Sequence, residues 1–426
     1  MKTNKYNFIL YGGEYGYWYN ALTRSYFRLS RSLSKKVETL LPDLNVLEKK
    51  AESLYKKLCN YGFIVPNDID ELEVIRQKHY EAVHSKDYFL IILPTLNCNF
   101  KCWYCIQEHI PSIMNAGTFE AIKKHIDYMI EEKGITSLHI DWFGGEPFMF
   151  FGKIIEPLSR YAIETCEKHN IPFINTSTTN GYFINPDVSR VLSDLKFVQF
   201  QITLDGEKEF HDNVKFMKGC PSAFEHVLCN INNMLSLNPA IKIFLRINYT
   251  HKTLSEKIVP QVNNFISEAN RSRVNITPKK VWQEAVDKNF SNVLQKILDD
   301  FEHSGYSVSR KNLTTNFLPC YVNQENYNAI NYNGNVVKCT ACDDIHKEHT
   351  KGKLSDDGQI IWEDNFDIQC QYPTFENERC LNCKRLPLCM GLCPRDYLNG
   401  ATHCKYDVVD EVFENELLNS LIHQYL

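Results

Sequence analysis

The chain has 426 residues, with 47 Lys and Arg against 52 Asp and Glu, which gives a net charge of −5. Hydrophobic residues make up 43% and charged residues 23%, a balance typical of a soluble globular protein of about two or three domains. The weakly acidic balance argues against a nucleic-acid or anionic-membrane partner. No apolar run approaches about 18 residues, and the amino terminus has no secretory signal, so a cytoplasmic protein is predicted.

Sixteen cysteines are the unusual feature of the composition. Three lie within eight residues, at Cys98, Cys102 and Cys105, and nine more lie between Cys320 and Cys404. In a reducing compartment, clustered thiols indicate metal binding or catalysis more often than disulfides. The four scattered cysteines are interpreted as small buried hydrophobic residues (Cys59, Cys166, Cys220 and Cys229).

Residues 1–85 are predicted to form a small β+α domain. Alternating apolar residues on both sides of Gly12 and Gly13 predict a hairpin. Three helical segments are expected to follow, the second with Asp43 as its cap and Gly62 at its end, and the third beginning near Asn67 or Asp68.

Residues 86–310 alternate between strand and helix patterns. The predicted strands are Tyr88–Thr95, Ser137–Phe143, Phe173–Thr179, Val198–Asp205, Lys242–Tyr249 and Arg273–Thr277. The predicted helices include Phe119–Lys133, Ile154–His169, Ser255–Ala269 and Phe290–His303. Six such units predict an α/β fold with a parallel sheet, either open or curled into a partial (β/α)6 barrel.

The faces of these strands indicate a polar interior. In Val198–Asp205 one face carries Phe200, Ile202 and Leu204, whereas the other face is polar. Helices would cover the apolar faces, so the polar side chains would point inward, where buried polar groups need partners. The pattern therefore predicts a polar ligand inside the sheet. An antiparallel sheet with one solvated face is the alternative.

Residues 311–426 are predicted to form a cysteine-rich domain with few regular strands. Asn333 and Gly334 indicate a turn. An amphipathic helix is expected over Val408–Leu426.

The first cysteine group has the spacing C-x3-C-x2-C and directly follows the first predicted strand of the sheet. Three thiolates on one loop can bind three corners of a [4Fe–4S] cube and leave the fourth iron free for another ligand. Structural zinc, with His109 as the fourth ligand, is the alternative.

The segment Gly144–Pro147 ends the second predicted strand of the sheet. Two glycines there allow the backbone to approach a ligand closely, and the Glu146 carboxylate can accept from an ammonium group. The cysteine loop and this turn are expected at the same end of the sheet, where ligands bind in such folds.

These two motifs together resemble those of the radical S-adenosylmethionine (SAM) enzymes. In that family a [4Fe–4S] cluster with a free iron binds SAM and cleaves it reductively to a 5′-deoxyadenosyl radical, which abstracts a substrate hydrogen. The resemblance implies that Cys98, Cys102 and Cys105 hold the cluster. It also implies SAM contacts from Gly144, Gly145, Glu146, Pro147, Thr179, Asn180, Thr203, Asp205 and Arg246. For Arg246, pairing with Asp141 or Asp205 is an equally weighted alternative.

The second cysteine group resembles the SPASM extension of radical SAM enzymes, because its spacings match C-x9–15-G-x4-C, C-x2-C-x5-C-x3-C and a final C. The resemblance implies two auxiliary [4Fe–4S] clusters. It assigns the first to Cys320, Cys339 and Cys393, with Cys342 or an open position as the fourth ligand, and the second to Cys380, Cys383, Cys389 and Cys404. Cys370 is interpreted as a plain thiol. Asp343, Asp344 and His346 are weak candidates for a proton acceptor, with solvated loop residues as the commoner explanation.

The expected function is that of a radical SAM peptide maturase, which would install a thioether or other crosslink on a ribosomally made peptide. The amino-terminal domain resembles the winged-helix element that holds a precursor's leader, although it could merely cap the barrel. The implied electron donor is flavodoxin or ferredoxin. A formylglycine-forming sulfatase maturase and, in another class, a zinc-bound adaptor are the alternatives. The sequence indicates no catalytic base.

Overall fold

The computed structural model describes residues 1–284, 290–310, 319–341, 343–401, 404 and 410–425, with the backbone alone at 290, 291, 343, 344 and 410–412. The chain folds into two compact units. The first, called the terminal unit, comprises Met1–Ser85, Lys311–Glu325 and Ile368–Leu426. The second, called the sheet unit, comprises Lys86–Arg310 and Asn326–Asp367. The boundaries between the two units lie at 85/86, 310/311, 325/326 and 367/368, so residues 326–367 belong to the sheet unit.

The amino-terminal part of the terminal unit contains two small sheets and four helices. Its strands are β1 (Lys2–Thr3), β2 (Asn7–Gly12), β3 (Tyr15–Asn20), β4 (Tyr26–Ser30) and β5 (Ile64–Val65). Its helices are α1 (Arg31–Leu40), α2 (Leu44–Lys50), α3 (Glu52–Asn60) and α4 (Glu71–Val83). Strands β2, β3 and β4 are antiparallel neighbours in that order, and β1 pairs with β5. The predicted hairpin is confirmed, whereas β4 was not predicted.

The helices of this part begin and end partly as predicted. Asp43 caps α2, because its carboxylate accepts from the Val46 amide at 3.1 Å. The single second helix of the prediction is broken at Ala51, where φ −150° and ψ 55° lie outside the helical region. The next helix is capped by Asp70 rather than by a residue near position 67.

The sheet unit contains one sheet of eleven strands. They are β6 (Asp87–Leu93), β7 (Ser137–Trp142), β8 (Phe173–Thr179), β9 (Phe197–Asp205), β10 (Lys242–Tyr249), β11 (Val274–Lys280), β12 (Ser307–Val308), β13 (Tyr327–Asn331), β14 (Asn335–Val337), β15 (Gly352–Leu354) and β16 (Ile360–Trp362). The order is β12-β11-β10-β9-β8-β7-β6-β13-β14-β15-β16. Strands β6 to β12 are parallel, so the predicted α/β sheet is confirmed.

The carboxy-terminal strands correct the prediction that residues after 311 hold few strands. Strand β13 pairs in parallel with β6, and β14, β15 and β16 continue the sheet as antiparallel neighbours. Gly334 turns the chain between β13 and β14 at φ +78°, a conformation that favours glycine. These short strands therefore extend the same sheet that carries the first cysteine motif.

Helices lie between the parallel strands. They are α5 (Ala116–Glu131), α6 (Glu156–Lys168), α7 (Pro186–Val191), α8 (Lys208–Val214), α9 (Ala223–Leu237), α10 (Ile258–Asn263), α11 (Glu268–Arg271) and α12 (Phe290–His303). The predicted helix Ser255–Ala269 is instead two short helices, α10 and α11. Within the described part of the chain, no helix is long and apolar enough to span a membrane.

The apolar faces of the strands form the core of the sheet unit, as predicted. Phe200, Ile202 and Leu204 of β9 and Ile243 and Leu245 of β10 are fully buried together with residues of the surrounding helices. The polar residues of β9 alternate with this set and therefore lie on the opposite face.

The remaining helices belong mostly to the carboxy-terminal part of the chain. They are α13 (Phe366–Gln369), α14 (Glu378–Asn382), α15 (Leu386–Cys389), α16 (Pro394–Leu398) and α17 (Asp410–His423). The helix predicted at the end of the chain is confirmed by α17.

One core joins the two ends of the chain within the terminal unit. Tyr6 and Phe8 pack in a buried cluster with Leu386, Leu417 and Leu421. Nine aromatic residues lie between Tyr6 and Phe27. Six of them are buried (Tyr6, Phe8, Tyr17, Trp18, Tyr19 and Phe27). These residues therefore pack in the interior of the unit instead of presenting rings for a peptide.

Candidate active site

The loop between β6 and α5 carries the first cysteine motif. Thr95 fixes its start: the hydroxyl donates to the Ser112 carbonyl at 2.6 Å and accepts from the Asn97 amide at 2.8 Å. The Cys105 amide donates to the Cys102 carbonyl at 3.0 Å, which forms a tight turn between these two cysteines. Local backbone hydrogen bonds thus hold the loop in place.

The three thiols of this loop line a cavity of about 360 Å³. Burial raises the pKa of Cys98 to about 12, and it raises the pKa values of Cys102 and Cys105 as well. The Cys98 sulfur accepts from the Phe100 amide at 3.4 Å. Iron binding at this site would replace three thiol protons, because the thiolate is the metal ligand.

The Gly144-Gly145 turn after β7 packs directly against the cysteine loop. The Gly145 amide donates to the Thr95 carbonyl at 3.0 Å, and the Glu146 amide donates to the Asn97 carbonyl at 2.8 Å. A Cβ at Gly145 would lie 2.1 Å from the Asn97 oxygen, and one at Gly144, where φ is +122°, would lie 2.3 Å from the Thr95 oxygen. Glycine is therefore required here because two backbones touch.

Glu146 has a different environment from the predicted one. Its carboxylate is fully buried and accepts from the Thr179 hydroxyl at 2.7 Å and from the amides of Asn180 and Phe148 at 2.8 and 3.0 Å. Burial raises the pKa of Glu146 to about 7 against these hydrogen bonds. Neither Glu146 nor the buried Pro147 lines the cavity. The carboxylate joins the turn to the end of β8.

Residues at the end of β8 do reach the cavity. Thr179 and Asn180 both line it. The Asn180 side-chain amide donates to the Asn99 side-chain oxygen at 2.8 Å and lies 3.9 Å from the Cys98 sulfur. These two predicted contact residues are thus brought next to the cysteine loop.

Asp205, at the end of β9, is the centre of a buried polar network. Its carboxylate forms an ion pair with Lys215 at 3.0 Å, with both side chains at most 6% exposed. It also accepts from the Tyr104 hydroxyl and from the Asn248 amide at 3.3 Å. Burial raises the pKa of Asp205, but Lys215 and the other partners outweigh it and hold the pKa below its usual value. Asp205 itself lines a neighbouring cavity of about 300 Å³.

Arg246 on β10 lines the first cavity together with Thr203. Its Nε donates to the Asn248 side-chain oxygen at 2.8 Å. The predicted alternative, pairing with Asp141 or Asp205, is not found, because Asp141 accepts from Thr176 at 2.6 Å and Asp205 pairs with Lys215. Burial lowers the pKa of Arg246 while Tyr104 and Asp205 oppose that shift. No carboxylate of the described residues forms an ion pair with this guanidinium.

Part of the predicted polar interior is satisfied within the protein. His139 Nε2 lies 2.7 Å from the Thr176 hydroxyl, which in turn donates to Asp141. Burial lowers the pKa of His139 to about 4 and raises that of Asp141 to about 6. These three side chains bond to one another and do not line the cavity, so no ligand is needed to satisfy them.

Three residues of the site carry no signal of their own in the sequence. Tyr104 and Lys215 line the cavity and bind Asp205, and Asn248 connects Asp205 with Arg246. Tyr104 lies inside the cysteine motif, and Asn248 lies two residues after Arg246. Their distance in sequence from predicted site residues was therefore the one signal that could have identified them. Lys215 lies in the turn after α8, where a lysine is ordinarily solvated.

Part of the second cysteine group lies in the terminal unit. Cys380, Cys383, Cys389 and Cys404 all belong to this unit. Burial raises the pKa of Cys389 to about 11, and the electrostatic influence of Cys404, Cys383 and Cys380 adds to that shift, so these three lie within electrostatic range of Cys389. The Cys383 sulfur accepts from the Arg385 amide at 3.4 Å.

The cysteines that the sequence assigns to the first auxiliary cluster do not all belong to the same unit. Cys320 and Cys393 belong to the terminal unit, and Cys339 belongs to the sheet unit. Cys342 lies outside the described residues, as do the side chains of Asp343 and Asp344. His346 Nε2 lies 3.2 Å from the Ile106 carbonyl of the first cysteine loop.

The remaining cysteines match the sequence interpretation only in part. Cys166 is buried, as expected, whereas Cys229 is exposed on α9. Cys370, which was interpreted as a plain core or surface thiol, is buried. Within the described ranges, no three His, Cys, Asp or Glu side chains converge as ligands of one ion would. The thiolates of a cubane each bind a different iron, so a cluster does not require such convergence.

Residues 92–279 match the radical SAM superfamily. They are a radical SAM domain. The matched range holds the cysteine loop, the diglycine turn, Asn180 and Arg246, all of which line the cavity. The donor set of this domain fits its cofactors: three neighbouring thiols suit three irons of a [4Fe–4S] cube, and Arg246 has unused donors for a carboxylate.

Two curated relatives and one solved structure are also similar to this chain. The radical SAM cyclopropyl synthase TigE of Paramaledivibacter caminithermalis is 22% identical over 370 residues, covering 78% of this chain and 74% of TigE. The cysteine-type anaerobic sulfatase-maturating enzyme of Clostridium novyi is 26% identical over 155 residues, covering 34% of this chain and 40% of the enzyme. Streptococcus suis SuiB, bound to the precursor peptide SuiA, has a TM-score of 0.51 at 16% identity, covering 93% of this chain and 96% of SuiB.

Proposed function

We propose that this protein is a radical SAM peptide maturase. It abstracts hydrogen from a ribosomally made peptide and installs a crosslink, with a cysteine thioether as the leading candidate. The observation that carries the proposal is one cavity lined by the three thiols of a C-x3-C-x2-C loop, by the diglycine turn packed on that loop, and by an arginine without a carboxylate partner.

In this function Cys98, Cys102 and Cys105 hold the catalytic [4Fe–4S] cluster. When bound together, the cluster and SAM would supply one-electron reductive cleavage of SAM. The glycine turn would hold the methionyl part of SAM, and Arg246 would bind its carboxylate. Glu146 fixes this turn against Thr179 and Asn180, so it acts by positioning the binding residues.

The Lys215–Asp205 pair keeps the opposite wall in place. Lys215 donates to the Thr203 carbonyl at 2.6 Å as well as to Asp205, which ties the turn after α8 to the end of β9. Asp205 in turn orients Tyr104 of the cysteine loop and Asn248 next to Arg246. These residues hold SAM-binding groups on three different strands and loops in one arrangement.

Two auxiliary [4Fe–4S] clusters complete the proposed cofactor set. The nearness of Cys380, Cys383, Cys389 and Cys404 supports the second of them. The first would be bound by Cys320, Cys339 and Cys393, with Cys342 or an open position as the fourth ligand. The cysteine spacings carry this assignment.

A peptide substrate is supported by the likeness to SuiB, whose structure was solved with a bound precursor peptide and whose match covers 93% of this chain. We assign leader recognition to residues 1–85. Strand β4 is one of the two edge strands of the β2-β3-β4 sheet, the other being β2, and a leader could pair with β4 as an added strand. Flavodoxin or ferredoxin would supply the electron, in the cytoplasm, where thiols remain reduced.

Formylglycine formation on a sulfatase is the second candidate. It is favoured by the identity of 26% over 155 residues between this chain and a cysteine-type anaerobic sulfatase-maturating enzyme. The zinc-bound adaptor predicts a colourless protein without iron or sulfide, so metal analysis of anaerobically purified protein decides between that class and the enzyme.

The first test is cofactor cleavage by the reconstituted protein. With dithionite and SAM under anaerobic conditions, we expect 5′-deoxyadenosine and methionine in equal amounts. Replacing Cys98, Cys102 and Cys105 by Ser should abolish cleavage and lower the iron content by about four atoms. Cys229→Ser is the matched control, because this thiol is exposed and lies outside both motifs. Cleavage that survives the triple replacement would exclude a radical SAM function.

The second test identifies the product. The protein is incubated anaerobically with SAM, reductant and the peptide encoded beside its gene, and the peptide is analysed by mass spectrometry. Loss of two hydrogens without added oxygen supports a crosslink, whereas conversion of a Ser or Cys in a neighbouring sulfatase to formylglycine supports the second candidate.

A further inference from the structure

The wall of the active-site cavity is cationic although the chain as a whole is acidic. Lys215, Arg246 and Lys280 line the cavity, and no Asp or Glu of the described residues does. The chain carries a net charge of −5. The local charge is therefore the reverse of the overall charge, which suits an anionic ligand.

These three cations differ in their partners. Lys215 is neutralised by Asp205 at 3.0 Å, and Arg246 is the proposed partner of the SAM carboxylate. Among the described residues, the one hydrogen-bond acceptor of Lys280 is the main-chain carbonyl of Glu284, at 2.9 Å. The Glu284 carboxylate instead accepts from the His251 amide at 2.8 Å and contacts the His251 ring.

Lys280 therefore retains unused hydrogen-bonding capacity. An ammonium group has three donors, and one carbonyl uses one of them. No carboxylate in the described part of the chain lies within ion-pair distance of its Nζ. A half-buried cation in a cavity gains most from a charged acceptor, because charge-assisted hydrogen bonds are stronger than neutral ones.

The position of Lys280 separates it from the SAM carboxylate site. It is the last residue of β11 and pairs with Tyr249, whereas Arg246 pairs with Thr277, three residues earlier. Three residues of parallel strand correspond to about 10 Å along the strands. Two large apolar side chains, Ile106 and Trp282, line the same cavity and are 47% and 57% exposed. Lys280 thus lies near the mouth, beside an apolar rim.

We propose that Lys280 binds a carboxylate of the substrate peptide. The carboxylate belongs either to an Asp or Glu side chain close to the modified residue or to the carboxyl terminus of the peptide. This inference rests on the proposed function, because it takes the cavity as the place where the peptide meets SAM. It adds a specificity-determining residue and a chemical property of the substrate.

The test measures binding of three short peptides to the reconstituted protein with SAM and without reductant. The probes are acetyl-Gly-Cys-Asp amide, acetyl-Gly-Cys-Asn amide and acetyl-Gly-Cys-Asn with a free carboxyl terminus. We expect a carboxylate to tighten binding by roughly fivefold at low salt, measured by ligand-observed NMR titration. Preference for the first peptide indicates a side-chain carboxylate, and preference for the third indicates a terminal one.

Two variants make the result specific to Lys280. Lys280→Gln should remove the preference for a carboxylate. Lys279→Gln is the matched control, because this neighbouring lysine is exposed and lies outside the cavity wall, and it should keep the preference. Equal binding of all three peptides to the unchanged protein overturns the inference, and so does a preference that survives in Lys280→Gln.

Reductive SAM cleavage by the unchanged protein and by Lys279→Gln is measured on the same preparations. Absence of cleavage in both refutes the proposed function and leaves the peptide preference as a separate result. Cleavage without any carboxylate preference refutes the role of Lys280 alone. The two failures are thereby distinguishable.

Discussion

At the scale of single residues, the site depends on close backbone contacts as much as on reactive side chains. The diglycine turn touches the cysteine loop through two hydrogen bonds between main-chain atoms. This contact fixes where the three thiols lie relative to the end of β7. A side chain at either glycine would therefore act on the cluster site without touching the cluster.

Gly145→Ala is expected to damage the cysteine loop. The added Cβ would lie 2.1 Å from the Asn97 oxygen, a separation that forces one of two packed backbones to move. We expect a loss of about 1–3 kcal/mol in the free energy of unfolding and a lower iron content after reconstitution. Chemical unfolding and iron analysis measure the two effects.

Gly152→Ala is the control for that substitution. A Cβ at Gly152 meets nothing within 4 Å, so stability and iron content should stay close to those of the unchanged protein. If Gly145→Ala behaves in the same way, the two loops are not held by this contact.

The buried ion pair is the other residue-scale feature. Lys215 and Asp205 are removed from water together, and each is satisfied by further hydrogen bonds. Removing one partner from such a pair generally costs about 3–5 kcal/mol, because the remaining charge is left buried. Because of this cost, the buried Lys215 is compatible with the fold only when the Asp205 carboxylate neutralises its charge.

At the scale of elements, the alternation of apolar and polar residues predicted the longer strands of the sheet. All six parallel strands that the sequence predicts are present, with ends shifted by at most three residues, because their apolar faces alternate over five or more residues. Strands β14, β15 and β16 have only three residues each, too short for a pattern to stand out. Their place in the sheet follows from pairing, which sequence alone does not express.

The sequence predicted only some of the residues that line the cavity. Motif spacing placed Cys98, Gly144 and Asn180 at the cavity, because those residues belong to loops at the ends of predicted strands. It misplaced Glu146, since a carboxylate next to a ligand site looks the same in sequence whether it faces the ligand or the protein. The burial of Lys215 depends on residues that are close to it only in the folded chain, so no local sequence pattern indicates it.

Helix α5 is joined to two strands through one buried histidine. His125 Nε2 lies 2.6 Å from the Tyr88 hydroxyl of β6, and Nδ1 lies 2.7 Å from the Gly358 carbonyl between β15 and β16. Burial lowers its pKa to about 4 from an ordinary value of 6.5. In the unfolded chain the ring binds a proton below about pH 6.5, whereas in the folded chain it does so only below about pH 4.

His125 should therefore contribute a loss of stability to the sheet unit as the pH falls from 6.5 to 4. The slope contributed by this histidine is about 1.4 kcal/mol per pH unit within that window. Chemical unfolding at several pH values should show that, relative to His125→Gln, the unchanged protein loses stability over this window. His349→Gln, at an exposed position, should keep the original slope. Equal slopes in the two variants would mean that His125 is already protonated in the fold.

At the scale of the whole molecule, the terminal unit is discontinuous in sequence. Residues 1–85 were predicted as a separate domain. One cluster of their apolar residues shares a core with helices α15 and α17, whereas a second cluster around Trp18 lies within residues 1–85. A domain with its own complete core folds alone, whereas one that shares part of its core with another segment depends on that segment. The amino-terminal segment and the carboxy-terminal segment should therefore fold together.

A double-mutant cycle between the two ends measures this directly. Phe8 on β2 and Phe413 on α17 have ring centroids 5.8 Å apart. Each Phe→Ala change should destabilise the protein by about 3–5 kcal/mol, and the double change should cost less than the sum by about 1 kcal/mol or more. Phe8 with Phe27 is the matched control, because Phe27 packs in a separate cluster with Trp18 and Phe63. Additive effects for both pairs in chemical unfolding would mean that the two ends of the chain fold independently, and the segment 1–85 would then be stable by itself.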